Sequence, residues 1–321
     1  MKKNILIITT GGTIAMQKNQ NNVVLPTNNL IKLIHSFPQI NEKAKIRTIE
    51  YSNIPSPHMT PEKIFKLAKL VDKKIENFDG IVITHGTDTL EESAYLLHLT
   101  LRTRKPVVFT AAMRSGSDLG LDGPRNIVGA VRVACNPLSI DKGVLVVMND
   151  DIHSARDVVK SDTGKVNSFT SLEYGILGKI DPDQVIFYRS SLIKDNIWTD
   201  KIESNIDLIK AVSGMDGRFI EASIENKAKA IVIEAFGRGN LPPQTLPAIK
   251  KAISKNILVV VASRAYSGRV LPEYGYKGGG YDLKRLGVIF GNDLRGTKAR
   301  VVLMLLFGKY DNKEKVIAEF Q

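Results

Sequence analysis

Ile5-Leu6-Ile7-Ile8-Thr9-Thr10-Gly11-Gly12-Thr13-Ile14-Ala15 is the stretch that decides the fold class. Four aliphatic residues in a row, without polar alternation, read as a strand covered on both faces of a parallel sheet. The run stops at hydroxyls and two glycines, the composition of a tight turn. The same pattern recurs down the chain. Apolar, β-branched runs of strand length lie at Ile5–Ile8, Ile81–Ile83, Val107–Phe109, Val144–Val147, Ile231–Ile233 and Ile257–Val261. Helical patterns separate them. Thr60-Pro61-Glu62 opens one with a hydroxyl cap, a proline in the first turn and an acid near the positive end. Ile64, Leu67, Ala68, Val71 and Ile75 follow at helical spacing. Strands alternating with helices predict an α/β fold with a mostly parallel sheet and right-handed crossovers.

At roughly 150 residues per domain, the 321-residue chain has the length of two domains. The stretch from Ser190 to Ile206 is polar, mixed in charge and weakly periodic. It predicts a larger N-terminal domain over 1–189, a linker over 190–206 and a smaller parallel βα domain over 207–321.

The 43% hydrophobic content excludes a disordered chain. A single cysteine, Cys135, excludes an intramolecular disulfide and a multi-thiolate metal site. It reads as a buried, inert thiol. The five histidines show no pair at ligand spacing, so no metal is expected. No apolar run approaches the ~18 residues of a membrane span. Lys2 and Lys3 precede an apolar run too short for a signal h-region of roughly 7–15 residues. The expectation is a cytoplasmic protein with no membrane partner. The net charge of +12 is spread over both halves. With sparse aromatics and no RRM, KH or zinc-finger pattern, no nucleic-acid partner is expected.

Ligands of parallel α/β sheets bind at the carboxyl ends of strands. Three loops there carry candidate chemistry. In Thr10-Gly11-Gly12-Thr13 the glycines permit close backbone approach and free N–H groups for an oxyanion, while Thr13 offers a hydroxyl. Thr84-His85-Gly86-Thr87-Asp88-Thr89 repeats strand, glycine and threonine and adds a carboxylate. Glu91 and Glu92 suit the first turn of the helix that follows. Arg156-Asp157-Val158-Val159-Lys160 brings Lys160 to Thr87 if its loop folds over the same sheet edge, where an ammonium can relay a proton. Gly278-Gly279-Gly280 lacks the lysine and hydroxyl of a P-loop and reads as a flexible loop. No G-x-S-x-G elbow occurs, which argues against an α/β-hydrolase.

Thr10-Gly11-Gly12-Thr13-Ile14-Ala15 and Thr84-His85-Gly86-Thr87-Asp88-Thr89, in this order and spacing, resemble the paired signatures of the bacterial-type L-asparaginase family. The resemblance continues through Ala112-Met113-Arg114, Asp122-Gly123-Pro124 with Asn126, Gly143 to Asp150, and Arg156-Asp157-Val158 with Lys160. It reaches Gly239-Asn240, Ser263-Arg264 and Lys298-Ala299-Arg300, and so nearly the whole chain. It implies an amidohydrolase that converts L-asparagine to L-aspartate and ammonia through an acyl-enzyme, with no metal or organic cofactor. It also implies a homo-oligomer, dimer or tetramer, with the site at a subunit interface. Thr13 would be the nucleophile, and Thr87, Asp88 and Lys160 a second triad. Backbone N–H groups near Gly12 and Thr87 would hold the oxyanion, and Gly12 and Gly86 would count among the substrate-binding residues. Ser56 would bind the substrate α-carboxylate, Asp88 its ammonium, and Asn240 and Glu273 would come from the facing subunit.

Three positions depart from the family pattern. The loop Met16–Pro26 lacks the family's tyrosine, and Val23 or Val24 takes its place. The proton acceptor is then a phenol from elsewhere, such as Tyr274 or Tyr276 of a neighbour, or Lys160 with a water. Pro57 follows Ser56 where many relatives have an amide or acid, and Gly275–Gly280 blurs the alignment of Glu273. Two rival readings follow: a related amidase preferring glutamine or D-asparagine, or a non-catalytic amino-acid-binding relative. With the first motif beginning at Thr10, the extra N-terminal domain of tRNA-linked amidotransferase subunits is not expected.

Overall fold

The computed structural model describes residues 2–21, 23–27, 30–35, 38–191 and 196–321. Four residues of the expected linker, 192–195, lie outside them. The chain divides into two compact units, Met1–Asn196 and Ile197–Gln321.

The first unit is built on an eight-stranded sheet. Its strands are β1 (Lys3–Thr9), β2 (Ala44–Glu50), β3 (Gly80–Thr84), β4 (Val107–Thr110), β5 (Val144–Met148), β6 (Asp151–Ser154), β7 (Gly178–Ile180) and β8 (Val185–Phe187). The spatial order is β8-β7-β6-β5-β4-β3-β1-β2. Strands β1 to β5 are mutually parallel, and β6 turns back antiparallel to β5. The aliphatic runs form the centre, as expected of strands buried on both faces: Ile5, Leu6, Ile7 and Ile8 are all buried. Successive side chains face opposite sides of the sheet. Ile5 and Ile7 join Val82, Val108, Leu145 and Val147 in one core beneath α3 (Gly123–Cys135).

Two further helices of this unit match the sequence reading. Helix α1 (Pro61–Ile75) starts where the Thr60 hydroxyl accepts the Lys63 N–H, and it buries Ile64, Leu67, Ala68, Val71 and Ile75. Fully buried Leu67 sits on that face, so truncating it to alanine costs about 2–5 kcal/mol. Helix α2 (Leu90–Thr100) carries Glu91 and Glu92 in its first turn. The stretch from Ala112 to Asn126 is tied together by a buried polar knot. Asp122 accepts the Met113 and Arg114 N–H groups at 3.0 and 2.9 Å, and the Asn126 amide donates to Ala111 O and to Asp122.

Chain order against spatial order fixes where a ligand can bind. The chain leaves β1 for β2 on one side, then crosses to β3 on the other. The carboxyl ends of β1 and β3 are therefore the switch point of the sheet, where diverging connections open a crevice.

The second unit has four parallel strands, β9 (Ile206–Lys210), β10 (Ala230–Ala235), β11 (Leu258–Ser263) and β12 (Ile289–Phe290), in sequential order. Ile231, Ile233, Val259 and Val261 pack on one face with Ile220 and Ile249 of the helices Arg218–Glu225 and Leu246–Ser254. The triple glycine of this unit is a tightly packed turn, which corrects the expectation of a flexible loop. A Cβ on Gly278 would lie 2.3 Å from Leu241 O, and one on Gly279 2.3 Å from Tyr274 O. Gly280 begins the short helix Gly280–Arg285.

Candidate active site

Three loops interlock at the switch point, and glycines set their spacing. After β1 the Thr10 N–H and hydroxyl both donate to Thr84 O, at 3.1 and 3.0 Å, which ties the loop to the end of β3. After β2 the chain folds back so that Ile54 N–H donates to Thr10 O and Gly12 N–H to Ile54 O, each at 3.1 Å. Gly11 and Gly12 adopt φ of 104° and 83°, which side chains rarely tolerate. A Cβ on Gly12 would lie 2.3 Å from Gly86 Cα, and one on Gly86 2.7 Å from Ser56 Cβ. Gly12, Gly86 and Ser56 are thus in direct contact.

The chemistry-bearing side chains project from short turns on these loops. Thr13 opens the turn Thr13–Ala15, Ser56 the turn Ser56–His58, and Thr87 the turn Thr87–Thr89. Ser56 is buried, and its hydroxyl accepts the Asp88 N–H at 3.2 Å. The Thr89 hydroxyl donates to Ser56 O at 3.0 Å. Gly12 N–H is taken by Ile54 O, whereas the N–H groups of Thr13 and Thr87 remain as donors for an anion. Each begins a turn and has no acceptor within it.

Lys160 reaches the same place from a short ribbon in which Val159–Lys160 pairs with Phe169–Thr170. Its ammonium donates to Thr87 Oγ1 at 2.9 Å and to Asp88 Oδ1 at 2.5 Å. Its backbone N–H donates to Glu91 Oε2 at 2.8 Å. One carboxylate thus holds the main chain of Lys160 while another holds its charge. From sequence alone, Glu91 is legible only as a partner of the helix dipole. An acid in the first turn directly after Thr87 and Asp88 was the available signal.

His85 sits beneath this group, fully buried, and burial pushes its imidazole down to about 4. Nδ1 lies 2.8 Å from Gly86 O and Nε2 3.1 Å from the Ser93 hydroxyl. A carbonyl can only accept, so Nδ1 carries the proton and Nε2 accepts from Ser93.

The other expected residues divide clearly. The chain after Thr13 forms a ribbon, Met16–Lys18 paired with Val24–Pro26, that exposes Val23, Val24 and Leu25 and holds no phenol. Asn240 and Glu273 belong to the second unit. Asn240 Oδ1 accepts the Gly280 N–H at 3.0 Å, and Glu273 pairs with Arg238 at 3.4 Å. Tyr274 and Tyr276 are exposed there, with ring centroids 5.7 Å apart. Cys135 is half-buried, and burial pushes its thiol up to about 11, so it stays protonated. Among the described residues no cluster of three or more His, Cys, Asp or Glu could hold a metal, and no helix is long and apolar enough to cross a membrane. A small cavity lined by His98, Lys105, Asp141 and Lys142 opens at the amino ends of β4 and β5, the opposite edge from Thr87 and Lys160.

A mostly parallel sheet whose switch point carries hydroxyl, carboxylate and ammonium groups around glycine-spaced loops defines an α/β enzyme. Comparison with known proteins narrows the class. Residues 4–192 match the family described as asparaginase, N-terminal, and residues 205–320 the glutaminase/asparaginase C-terminal domain. The chain therefore belongs to the asparaginase family of hydrolases. It is 34% identical to an L-asparaginase of Bacillus licheniformis over 97% of both chains. It is 36% identical to a probable L-asparaginase of Deinococcus radiodurans over 97% of this chain and 95% of that one. The crystal structure of a probable cytoplasmic L-asparaginase from Campylobacter jejuni superposes with a TM-score of 0.90 at 35% identity, covering 99% of each chain.

Proposed function

We propose that the protein hydrolyses the side-chain amide of L-asparagine to L-aspartate and ammonia, with Thr13 as nucleophile. Thr13 Oγ attacks the amide carbon, and the carbonyl oxygen becomes an oxyanion held by the Thr87 and Thr13 N–H groups. Collapse breaks the C–N bond, and ammonia leaves with the proton that Thr13 gave up. The ester left on Thr13 is then attacked by water, which restores the hydroxyl and releases aspartate. Dividing the reaction in this way lowers a barrier that a primary amide otherwise makes high.

The observation that carries this reading is the ammonium of Lys160 shared between Thr87 and Asp88 at the switch point. A hydroxyl held against a positive charge gives up its proton more readily and can activate the water of the second step. Ser56 binds the substrate α-carboxylate and Asp88 its ammonium. Residues 1–189 form the catalytic domain, 190–206 a linker and 207–321 the second domain. The protein acts in the cytoplasm as a homo-oligomer, in which the partner subunit's Asn240 and the partner subunit's Glu273 complete the site.

Ammonia release decides the matter. Release from L-asparagine that exceeds release from glutamine and D-asparagine, and that collapses in Thr87→Ala, is the expected result. No release at millimolar asparagine would overturn the proposal, and aspartate binding without turnover would make the chain a binding protein. Size determination in solution tests the oligomer.

A further inference from the structure

We infer that His85 is a positioning residue which aims the Thr87 N–H at the reacting carbonyl oxygen through the Gly86–Thr87 peptide. The inference rests on the proposed amide hydrolysis. The Gly86 C=O and the Thr87 N–H belong to one planar trans peptide, so they point in opposite directions. Whatever fixes the carbonyl also fixes the N–H. His85 fixes it: Nδ1–H donates to Gly86 O at 2.8 Å. The ring cannot turn away, because Ser93 donates to Nε2 at 3.1 Å and Phe109 packs against it with ring centroids 5.8 Å apart. The ring is fully buried, and the Thr87 N–H points away from it.

Among the described residues, His85 is the only hydrogen-bond partner of the Gly86–Thr87 peptide. Gly86 is half of the pair and lacks a side chain to restrain it. Thr87 N–H opens its turn and has no acceptor among the described residues. A donor that must meet a charge appearing only in the transition state gains most from being aimed in advance. His85 touches no reacting atom and acts only through the peptide.

The test separates a donor at the Nδ position from a buried polar group in general. Asparagine carries its amide N–H where Nδ1 lies, while glutamine carries it nearer Nε2. His85→Asn is expected to keep kcat for asparagine within about tenfold of wild type, and His85→Gln to lose on the order of 10²-fold with KM little changed. Equal kcat for the two variants, or a loss confined to KM, would overturn the inference. Nitrogen NMR of the wild-type imidazole supplies a readout independent of turnover. The Nδ1-protonated tautomer is expected. The Nε2-protonated form would overturn the inference and leave asparagine hydrolysis standing. Failure of the wild-type protein to release ammonia from asparagine would instead remove the reading beneath it.

Discussion

Lys160 Nζ lies 2.5 Å from Asp88 Oδ1 across 72 residues of chain. The pair is asymmetric: the Lys160 side chain is 17% exposed and that of Asp88 58%. The carboxylate remains open to a ligand while the ammonium is covered. That suits a carboxylate that meets substrate and an ammonium that serves the Thr87 hydroxyl beside it. Replacing Lys160 by methionine keeps the length of the side chain and removes the charge. Turnover of asparagine should fall by on the order of 10²–10⁴-fold, the range for loss of a proton-transfer group. The circular dichroism spectrum should not change. Wild-type turnover in Lys160→Met would remove the ammonium from the mechanism.

Glu91 holds the same lysine from its main chain. Its carboxylate accepts the Lys160 N–H at 2.8 Å, so Glu91→Ala frees the ribbon that carries Lys160, while Glu91→Gln keeps an acceptor oxygen in place. The alanine variant should lose about 1 kcal/mol of stability in urea titration and part of its turnover, with both largely recovered in the glutamine variant. An alanine variant equal to wild type in both measurements would show that the ribbon is held by other contacts.

Gly12→Ala and Gly237→Ala separate close packing from backbone conformation. Both glycines have positive φ, 83° and 46°, so each alanine meets the conformational cost of roughly 1–2 kcal/mol. At Gly237 no atom lies within 4 Å of the added Cβ, whereas at Gly12 the Cβ would lie 2.3 Å from the backbone of Gly86. Gly12→Ala should therefore be the more destabilised of the two and lose turnover. Equal unfolding midpoints would mean that the loops of Gly12 and Gly86 separate easily.

The central strands were legible because burial on both faces leaves a continuous aliphatic run, as at Ile81-Val82-Ile83. Strand β2, Ala44–Glu50, escaped the same reading. It lies at the sheet edge, and Lys45, Arg47 and Glu50 interrupt its aliphatic residues. The loops of Thr13 and Thr87 could be paired from sequence because each directly follows a strand. Lys160 could be tied to them only conditionally, since spacing along the chain does not say where a ribbon after an antiparallel strand will turn. The triple glycine misled for a related reason. Glycine marks both open loops and places where backbones touch, and only the neighbouring carbonyls of Leu241 and Tyr274 distinguish the two.

The buried imidazole of His85 makes stability depend on pH in a predictable direction. The unfolded chain protonates this group near its ordinary value of 6.5, whereas the fold resists protonation until about 4, because burial disfavours the charged ring. Between those values the unfolded state binds more protons, so stability falls as pH falls. The contribution is complete above about pH 6.5 and is lost progressively as pH falls to 4, by which point the loss is roughly 3 kcal/mol. Carboxylates titrate in the lower part of this window as well, so the wild-type curve alone does not isolate the histidine. His85→Asn removes the titrating group while leaving those carboxylates in place. The stability of wild type relative to His85→Asn, read from urea midpoints, should therefore decline as pH is lowered from 7 to 4. A difference that stays constant across that range would mean that the imidazole is protonated as readily in the fold as out of it.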